Sequence, residues 1–197
     1  MIKRSFDIFF SLIGLIILSP LFFIISIWIL VDSRGGVFYK QIRVGINNKD
    51  FSLFKFRSME LNSDKKGLIT IGSNDSRVTN AGLFIRKYKI DELPQLINIF
   101  IGDMSFVGPR PEVRKYVDMY NSEQLNVLEV RPGLTDYASL EYFNENDLLS
   151  KAVNPEDFYI NEVMPAKLKL NIKYIENQSF VIDIKLIFKT IKRVLFR

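Results

Sequence analysis

Residues 8–31 read IFFSLIGLIILSPLFFIISIWILV and carry no charge. A helix over this run would be roughly 36 Å long, enough to cross a bilayer. Two features point away from a simple span. Ser19-Pro20 falls at the middle of the run, where proline removes a helical hydrogen bond and clashes with the preceding turn. The flanks are basic on both sides, with Lys3 and Arg4 before the run and Arg34, Lys40 and Arg43 after it; basic flanks favour the cytoplasmic face. The pattern predicts a re-entrant membrane helix hairpin over residues 1–33, broken at Ser19 and Pro20, with arms about 16 Å deep, ahead of a kinked spanning helix. A carbonyl freed at the break needs Ser19 or a neighbour as partner. The run is too long for a cleaved signal peptide and no A-x-A-like site follows it. Asp7 and Arg4 are expected to pair or to sit among headgroups.

Beyond the run, residues 37–44 read as a strand, 45–50 as a turn, and 51–57 as a second strand with a period of two, which predicts a small β-hairpin. Residues 62–80, rich in Ser, Asp, Gly and Lys, read as a mobile loop. A helix is expected over 83–88, and a second opens at Asp91 with Leu93, Leu96, Ile97 and Phe100 spaced by three and four. Residues 112–120 and 122–130 look helical, the latter capped by Ser122, and Pro155 starts a helix interrupted near Pro165. Residues 183–197 put Ile184, Ile187, Phe188, Ile191, Val194 and Leu195 on one stripe and Lys185, Lys189, Lys192, Arg193 and Arg197 on the other, a basic amphipathic helix suited to an anionic leaflet. The fold class is α+β, mostly helical, with the remainder, 34–197, as one domain bearing interfacial amphipathic helices.

Composition narrows the chemistry. The 197 residues are 48% hydrophobic and 25% charged, with a formal net charge of +5; the segregation of the two kinds fits a membrane-associated protein with a polar part and anionic partners. The chain has no Cys and no His, so disulfides, thiolate nucleophiles and histidine-based acid/base steps are excluded. Carboxylates, Lys, Arg, Tyr, hydroxyls or a metal ion on oxygen ligands remain.

Candidate chemistry concentrates in residues 86–111, RKYKIDELPQLINIFIGDMSFVGPRP. Pro94 is tolerated only in a first helical turn, so Asp91 and Glu92 belong at or beside a helix N-terminus, where acids also serve as ordinary caps. Arg86 and Lys89 stand just upstream. Downstream, Pro109 and Pro111 fix the backbone on either side of Arg110, pre-organising its guanidinium for phosphate. Lys55 and Arg57 on the second strand are further phosphate candidates. The basic residues are scattered or membrane-facing, so no nucleic-acid surface is expected.

Four blocks carry a family resemblance: Lys55-Phe56-Arg57-Ser58-Met59; Asp91-Glu92-Leu93-Pro94-Gln95-Leu96; Gly102-Asp103-Met104-Ser105-Phe106-Val107-Gly108-Pro109-Arg110-Pro111; and Arg131-Pro132-Gly133-Leu134-Thr135. In these the chain resembles the bacterial sugar transferases, small monotopic phosphoglycosyl transferases that move a sugar 1-phosphate onto a polyprenyl phosphate. The resemblance implies a catalytic domain on the cytoplasmic face of the bacterial inner membrane, in contact with its phospholipids, performing the first membrane step of glycan assembly. It implies Asp91 as nucleophile toward a UDP-sugar, a covalent phosphosugar, release of UMP, and transfer to undecaprenyl phosphate. It further implies Mg2+ held by Asp91 and Glu92, Glu92 alternatively as a base, and phosphate or nucleotide contacts from Arg86, Arg110 and Arg131. Asp136 and Tyr137, where many members carry a Gly-Trp-Ala-Gln-like segment, are expected to touch sugar or nucleotide. Asn171 stands where many members carry an acid, and a surface helix position is the competing expectation. The sugar, the pathway and a homodimer stay open, as do two rivals: a membrane-anchored binding module and a phospho-aspartate phosphohydrolase.

Overall fold

The computed structural model describes residues 2–63 and 75–196; most of the expected loop over 62–80 lies outside them. The apolar run forms one helix, α1 (Ile2–Asp32), with Pro20 inside it. The expected division into two helices at Ser19-Pro20 is not found. Proline deprives the Ile16 carbonyl of its usual donor, and the Ser19 hydroxyl donates to that carbonyl at 2.8 Å, so helical backbone continues through the site. One stripe of α1 is packed along its length: Asp7, Ser11, Ile25 and Ile29 are buried. Leu15 and Leu18 pack against the cluster of Leu53, Leu96, Ile99 and Met104, and Leu21 and Phe22 against that of Ile25, Ile29, Phe56 and Ile85. The other faces leave Phe9, Ile16, Ile17, Phe23, Ile24 and Val31 exposed.

Both ends of α1 are clamped to the same body. At its start, Lys3 Nζ donates to the Val107 carbonyl and to Asp183 at 2.8 and 2.7 Å, and Arg4 donates to the Ile99 and Phe100 carbonyls at 2.6 and 2.8 Å. Among the described residues Asp7 makes no ion pair with Arg4; it is buried and accepts from the Ser105 hydroxyl and the Phe106 N–H at 3.2 and 3.1 Å. At its end, the buried Arg57 guanidinium donates to the carbonyls of Ser33 at 2.9 Å and Ile29 at 3.4 Å, and also to that of Arg34. The Ile29 carbonyl also accepts the Ser33 N–H at 3.2 Å, so the guanidinium chiefly serves the carbonyls of Ser33 and Arg34, where the chain leaves α1. Arg57→Ala is expected to destabilise the protein by about 3 kcal/mol, because buried carbonyls lose charged donors, and to lower the thermal midpoint by roughly 2–4 °C per kcal/mol at this size. A thermal melt in nanodiscs checks it, and an unchanged midpoint would show that water replaces the guanidinium.

The expected hairpin forms from β1 (Phe38–Val44) and β2 (Asp50–Phe56), antiparallel with Phe38 opposite Phe56 and Val44 opposite Asp50. Helix α2 (Asn80–Lys87) follows, capped by the Thr79 side chain. A 3-10 turn (Ile90–Glu92) and α3 (Gln95–Ile101) come next. The acidic pair thus sits on the turn ahead of α3, not on α3 itself, because Pro94 occupies the α3 N-cap.

A second, parallel pair went unforeseen: β3 (Ser105–Val107) and β4 (Gly133–Thr135). Their neighbouring turns touch backbone to backbone. The Gly133 N–H donates to the Pro109 carbonyl at 2.9 Å, and a Cβ at Gly133 would lie 2.1 Å from the Gly108 nitrogen. No side chain fits there.

Helix α4 (Arg114–Val117), a 3-10 stretch (Gln124–Glu129), α5 (Tyr137–Glu141), α6 (Glu145–Leu149) and α7 (Pro155–Phe158) lead to α8 (Met164–Glu176). Ser122 caps nothing; Asn121 accepts from the Gln124 N–H at 2.9 Å in its place. The interruption expected near Pro165 is a π-helical turn, Tyr159–Val163.

Helix α9 (Phe180–Leu195) starts at a Ser179 cap and buries Asp183 and Leu186. The stripe expected on it is divided. Phe188, Ile191 and Leu195 stay exposed, alongside exposed Lys185, Lys189, Lys192 and Arg193.

Candidate active site

The hairpin, the acidic turn, the Gly-Pro-Arg-Pro turn, α6, α8 and α9 enclose a cleft of about 840 Å³. Five of the expected residues meet on its wall: Lys55, Arg86, Asp91, Glu92 and Arg110. Lys55 arrives from the end of β2 and Arg86 from the last turn of α2. Lys89 joins them in a left-handed conformation, φ 56°, which reverses the chain between α2 and the acidic turn. This backbone region favours Gly or Asn; here it carries a lysine whose charge acts on both acids.

The two acids have different surroundings. Glu92 is engaged by Arg110 through both carboxylate oxygens, one of them at 3.3 Å. Burial raises the Glu92 pKa, but the facing Arg110, Lys89 and Lys55 outweigh it and hold the carboxyl well below the usual range. Arg110 is correspondingly raised, chiefly by Glu92. Asp91 is buried, and its Oδ1 has no hydrogen-bond partner among the described residues. Burial first, then the neighbouring Glu92, raises its pKa, against the lowering pull of Lys55, Arg86 and Lys89. Lys55 is pushed down to about 8, mainly by burial.

A carboxylate that must be ionised to act and an ammonium that must stay charged predict a bell-shaped pH profile. Activity should rise as Asp91 deprotonates above the ordinary carboxylate range, and fall as Lys55 loses its proton near pH 8. Lys55→Arg, whose guanidinium does not titrate there, should move the basic limb up by a unit or more. A kcat/KM profile checks this, and an unmoved limb would assign it to another group.

The remaining expected residues lie elsewhere. Arg131 is exposed and off the cleft wall; its Nε donates to the Gly102 carbonyl at 2.9 Å, at the end of α3. The β3–β4 pairing turns it away from the acids. Asp136 is fully buried and caps α5; its Oδ2 accepts the Arg110 backbone N–H at 3.0 Å. It holds the Arg110 backbone and lies off the wall. Tyr137 packs near Tyr174 with ring centroids 6.3 Å apart, again off the wall. Pro109 and Pro111 flank Arg110 but line a small recess beside Val44. Arg57 also lines the cleft, but its guanidinium is spent on the carbonyls of Ile29, Ser33 and Arg34 at and just beyond the end of α1. Asn171 is buried in α8 and not a surface position, and its Oδ1 lacks a partner among the described residues.

Sequence patterns missed Arg43, Glu112, Glu145, Tyr159 and Lys167, which also line the cleft. They come from β1, the stretch before α4, α6, the π-turn and α8, and no local signal joins them.

No group of three or more potential metal-ligating side chains occurs among the described residues. The donor set still fits one magnesium ion, which commonly takes one or two carboxylates and completes its shell with substrate phosphates and water. Asp91 Oδ1 is the orphaned oxygen; Glu92 is committed to Arg110.

The cleft thus sets a buried carboxylate among cations, with Leu18 of the long apolar helix on its lining. The chain belongs to the bacterial sugar transferase family, whose model matches residues 1–197. It is 38% identical over 197 residues to the UDP-N-acetylgalactosamine-undecaprenyl-phosphate N-acetylgalactosaminephosphotransferase of Aeromonas hydrophila, covering 98% of this chain and 44% of that protein. It is 34% identical over 194 residues to the sugar transferase EpsL of Bacillus subtilis, 98% and 87%. It is also 34% identical over 193 residues to the UDP-glucose:undecaprenyl-phosphate glucose-1-phosphate transferase of Klebsiella pneumoniae, 96% and 39%. The chain thus spans less than half of the Aeromonas and Klebsiella relatives and most of the Bacillus one.

Proposed function

We propose that this chain transfers a sugar 1-phosphate from a UDP-sugar to undecaprenyl phosphate through a covalent intermediate on Asp91. The observation that carries this is the buried Asp91 carboxylate, with one oxygen lacking a partner among the described residues, on the same cleft wall as Lys55, Arg86, Lys89 and Arg110. In the first step an Asp91 oxygen bonds to the β-phosphorus, and the bond from that phosphorus to the oxygen bridging the α-phosphate breaks, so UMP leaves with the electron pair. In the second, an oxygen of undecaprenyl phosphate bonds to the same phosphorus. The bond to Asp91 then breaks, restoring the carboxylate and giving a lipid diphosphate-sugar.

A carboxylate nearing a diphosphate meets like charge, about 4 kcal/mol per unit pair at 4 Å in an effective dielectric near 20. Arg110 and Arg86 offset that charge on the phosphates, and Lys55 does so while protonated. Glu92 holds the Arg110 guanidinium in place. Magnesium at Asp91 would add Lewis-acid neutralisation of the phosphoryl oxygens.

The membrane geometry belongs to the same reading. Helix α1 is embedded in the cytoplasmic face of the inner membrane with both of its ends on that side, and α9 lies at the headgroups. The support is that both ends of α1 are clamped to one body while its remaining faces are apolar and exposed. The chain has no cysteine, so single cysteines added at either end of α1 can be labelled with an impermeant reagent in oriented vesicles. Labelling from opposite sides would overturn this topology.

The activity is tested by incubating the full chain in nanodiscs with UDP-sugars, magnesium and undecaprenyl phosphate and following UMP. Turnover that requires the lipid phosphate is expected. Sugar phosphate released to water without the lipid would identify a phosphohydrolase, and nucleotide binding without turnover would identify a binding module.

A further inference from the structure

The cleft has two walls of different chemistry. Around the acids, Lys55, Arg86, Lys89 and Arg110 face Asp91 and Glu92, an excess of positive charge suited to phosphates. The other wall is neutral and alternates sign. Arg43 donates to Glu112 at 3.0 Å and to the Gln41 side-chain oxygen at 2.8 Å. The Tyr159 hydroxyl donates to the second Glu112 oxygen. Lys167 Nζ lies 5.3 Å from the Tyr159 ring centroid and donates to Glu145 at 2.7 Å. Two cations therefore oppose two carboxylates, and all of these residues line the cleft. The wall adjoins the phosphate side, since Glu145 lies within electrostatic reach of Arg110.

We propose that this neutral wall is the sugar subsite of the donor, and that the Glu145–Lys167 pair decides which sugar is accepted. The inference rests on the transferase reading above. A wall without net charge attracts a phosphate less than the four cations around the acids do, whereas alternating carboxylates and ammonium groups offer acceptors and donors side by side, the complement of neighbouring sugar hydroxyls. An ammonium has three N–H donors, and Glu145 takes one of those on Lys167. Glu145 and Lys167 keep side-chain exposures of 26% and 12%, so the pair is presented to the cleft while largely shielded from bulk water. A site built to hydrogen-bond a hydroxyl discriminates strongly against an analogue that places it elsewhere, because its own polar groups are then left unpaired. The two named relatives that differ in sugar, N-acetylgalactosamine in one and glucose in the other, make such a determinant necessary within this family.

The test uses the full chain in nanodiscs with undecaprenyl phosphate, magnesium and four donors in parallel: UDP-glucose, UDP-galactose, UDP-N-acetylglucosamine and UDP-N-acetylgalactosamine. Glu145→Gln and Lys167→Arg are compared with the parent, the second keeping the ion pair while altering its donor geometry. The expected result is that the ratio of kcat/KM between the best donor and its 4-epimer falls at least about tenfold, while inhibition by UMP stays within about threefold. A uniform loss across all four donors with unchanged ratios, in folded protein, would overturn the proposal. So would a matching loss of UMP inhibition, which would assign the wall to the nucleoside. Should Glu145→Gln fail to fold, Lys167→Arg gives the same readout. A parent inactive with every donor would instead remove the transferase reading itself, and this proposal with it.

Discussion

Asp91→Asn is expected to abolish detectable UMP release, lowering kcat on the order of 10⁴-fold or more, as loss of a nucleophile does even when the surrounding charge stabilisation remains. The amide keeps the shape of the carboxylate, so it tests chemistry and not packing. Its effect on stability has the opposite sign. Burial and the adjacent Glu92 raise the Asp91 pKa above its ordinary value, so the ionised side chain opposes folding at every pH above the unfolded value. Removing that charge should leave the thermal midpoint unchanged or raise it. A variant that melts normally and is inert fits a nucleophile. One that melts normally and releases UMP as fast as the parent rules Asp91 out of bond formation.

Arg110→Gln should cost 10²–10³ in kcat, about the loss seen when one preorganised charge-stabilising donor is removed. Arg110→Lys should recover little of it, because an ammonium cannot reproduce the two-pronged contact that Arg110 makes with Glu92. Stability should also fall. Breaking a buried pair costs several kcal/mol because the partner charge is stranded, but Arg110 keeps 32% of its side-chain exposure and Glu92 12%, so solvent screening brings the expectation down to about 1–3 kcal/mol. The double variant Glu92→Gln/Arg110→Gln separates the two effects. It should regain most of the stability and none of the activity if Glu92 serves to hold Arg110. Should Glu92→Gln alone retain full activity, Glu92 would have no part in positioning Arg110.

The corrections share a cause. Lys55, Arg86, Asp91, Glu92 and Arg110 come together in one cleft, and each stood in a short stretch whose composition already named it. Arg131 and Asp136 are placed at the site by the family resemblance, Arg131 within the Arg-Pro-Gly-Leu-Thr block and Asp136 where many members carry a Gly-Trp-Ala-Gln-like segment. Their destinations were set by the parallel pairing of Ser105 with Gly133 and Val107 with Thr135, a contact 28 residues apart that periodicity does not encode. That pairing sends the Arg131 side chain toward Gly102 and sets Asp136 behind the Arg110 backbone. The Glu112–Arg43 and Glu145–Lys167 pairs were invisible for the same reason, since an ion pair between remote segments exists only after the chain has folded.

Local sequence sets the apolar length of α1, the serine beside the carbonyl freed by Pro20, the β1–β2 hairpin, and the acidic pair just ahead of an apolar helix. Each of these follows from interactions among residues a few positions apart. Only long-range packing settles that α1 stays helical through Ser19-Pro20, that both its ends are clamped to one body, and that Asp91 keeps an oxygen unpartnered among the described residues while Glu92 is taken by Arg110. Those outcomes depend on which distant groups arrive to fill or to leave open a buried valence. A polar atom's neighbours in space, and not its neighbours in sequence, set its charge and its chemistry.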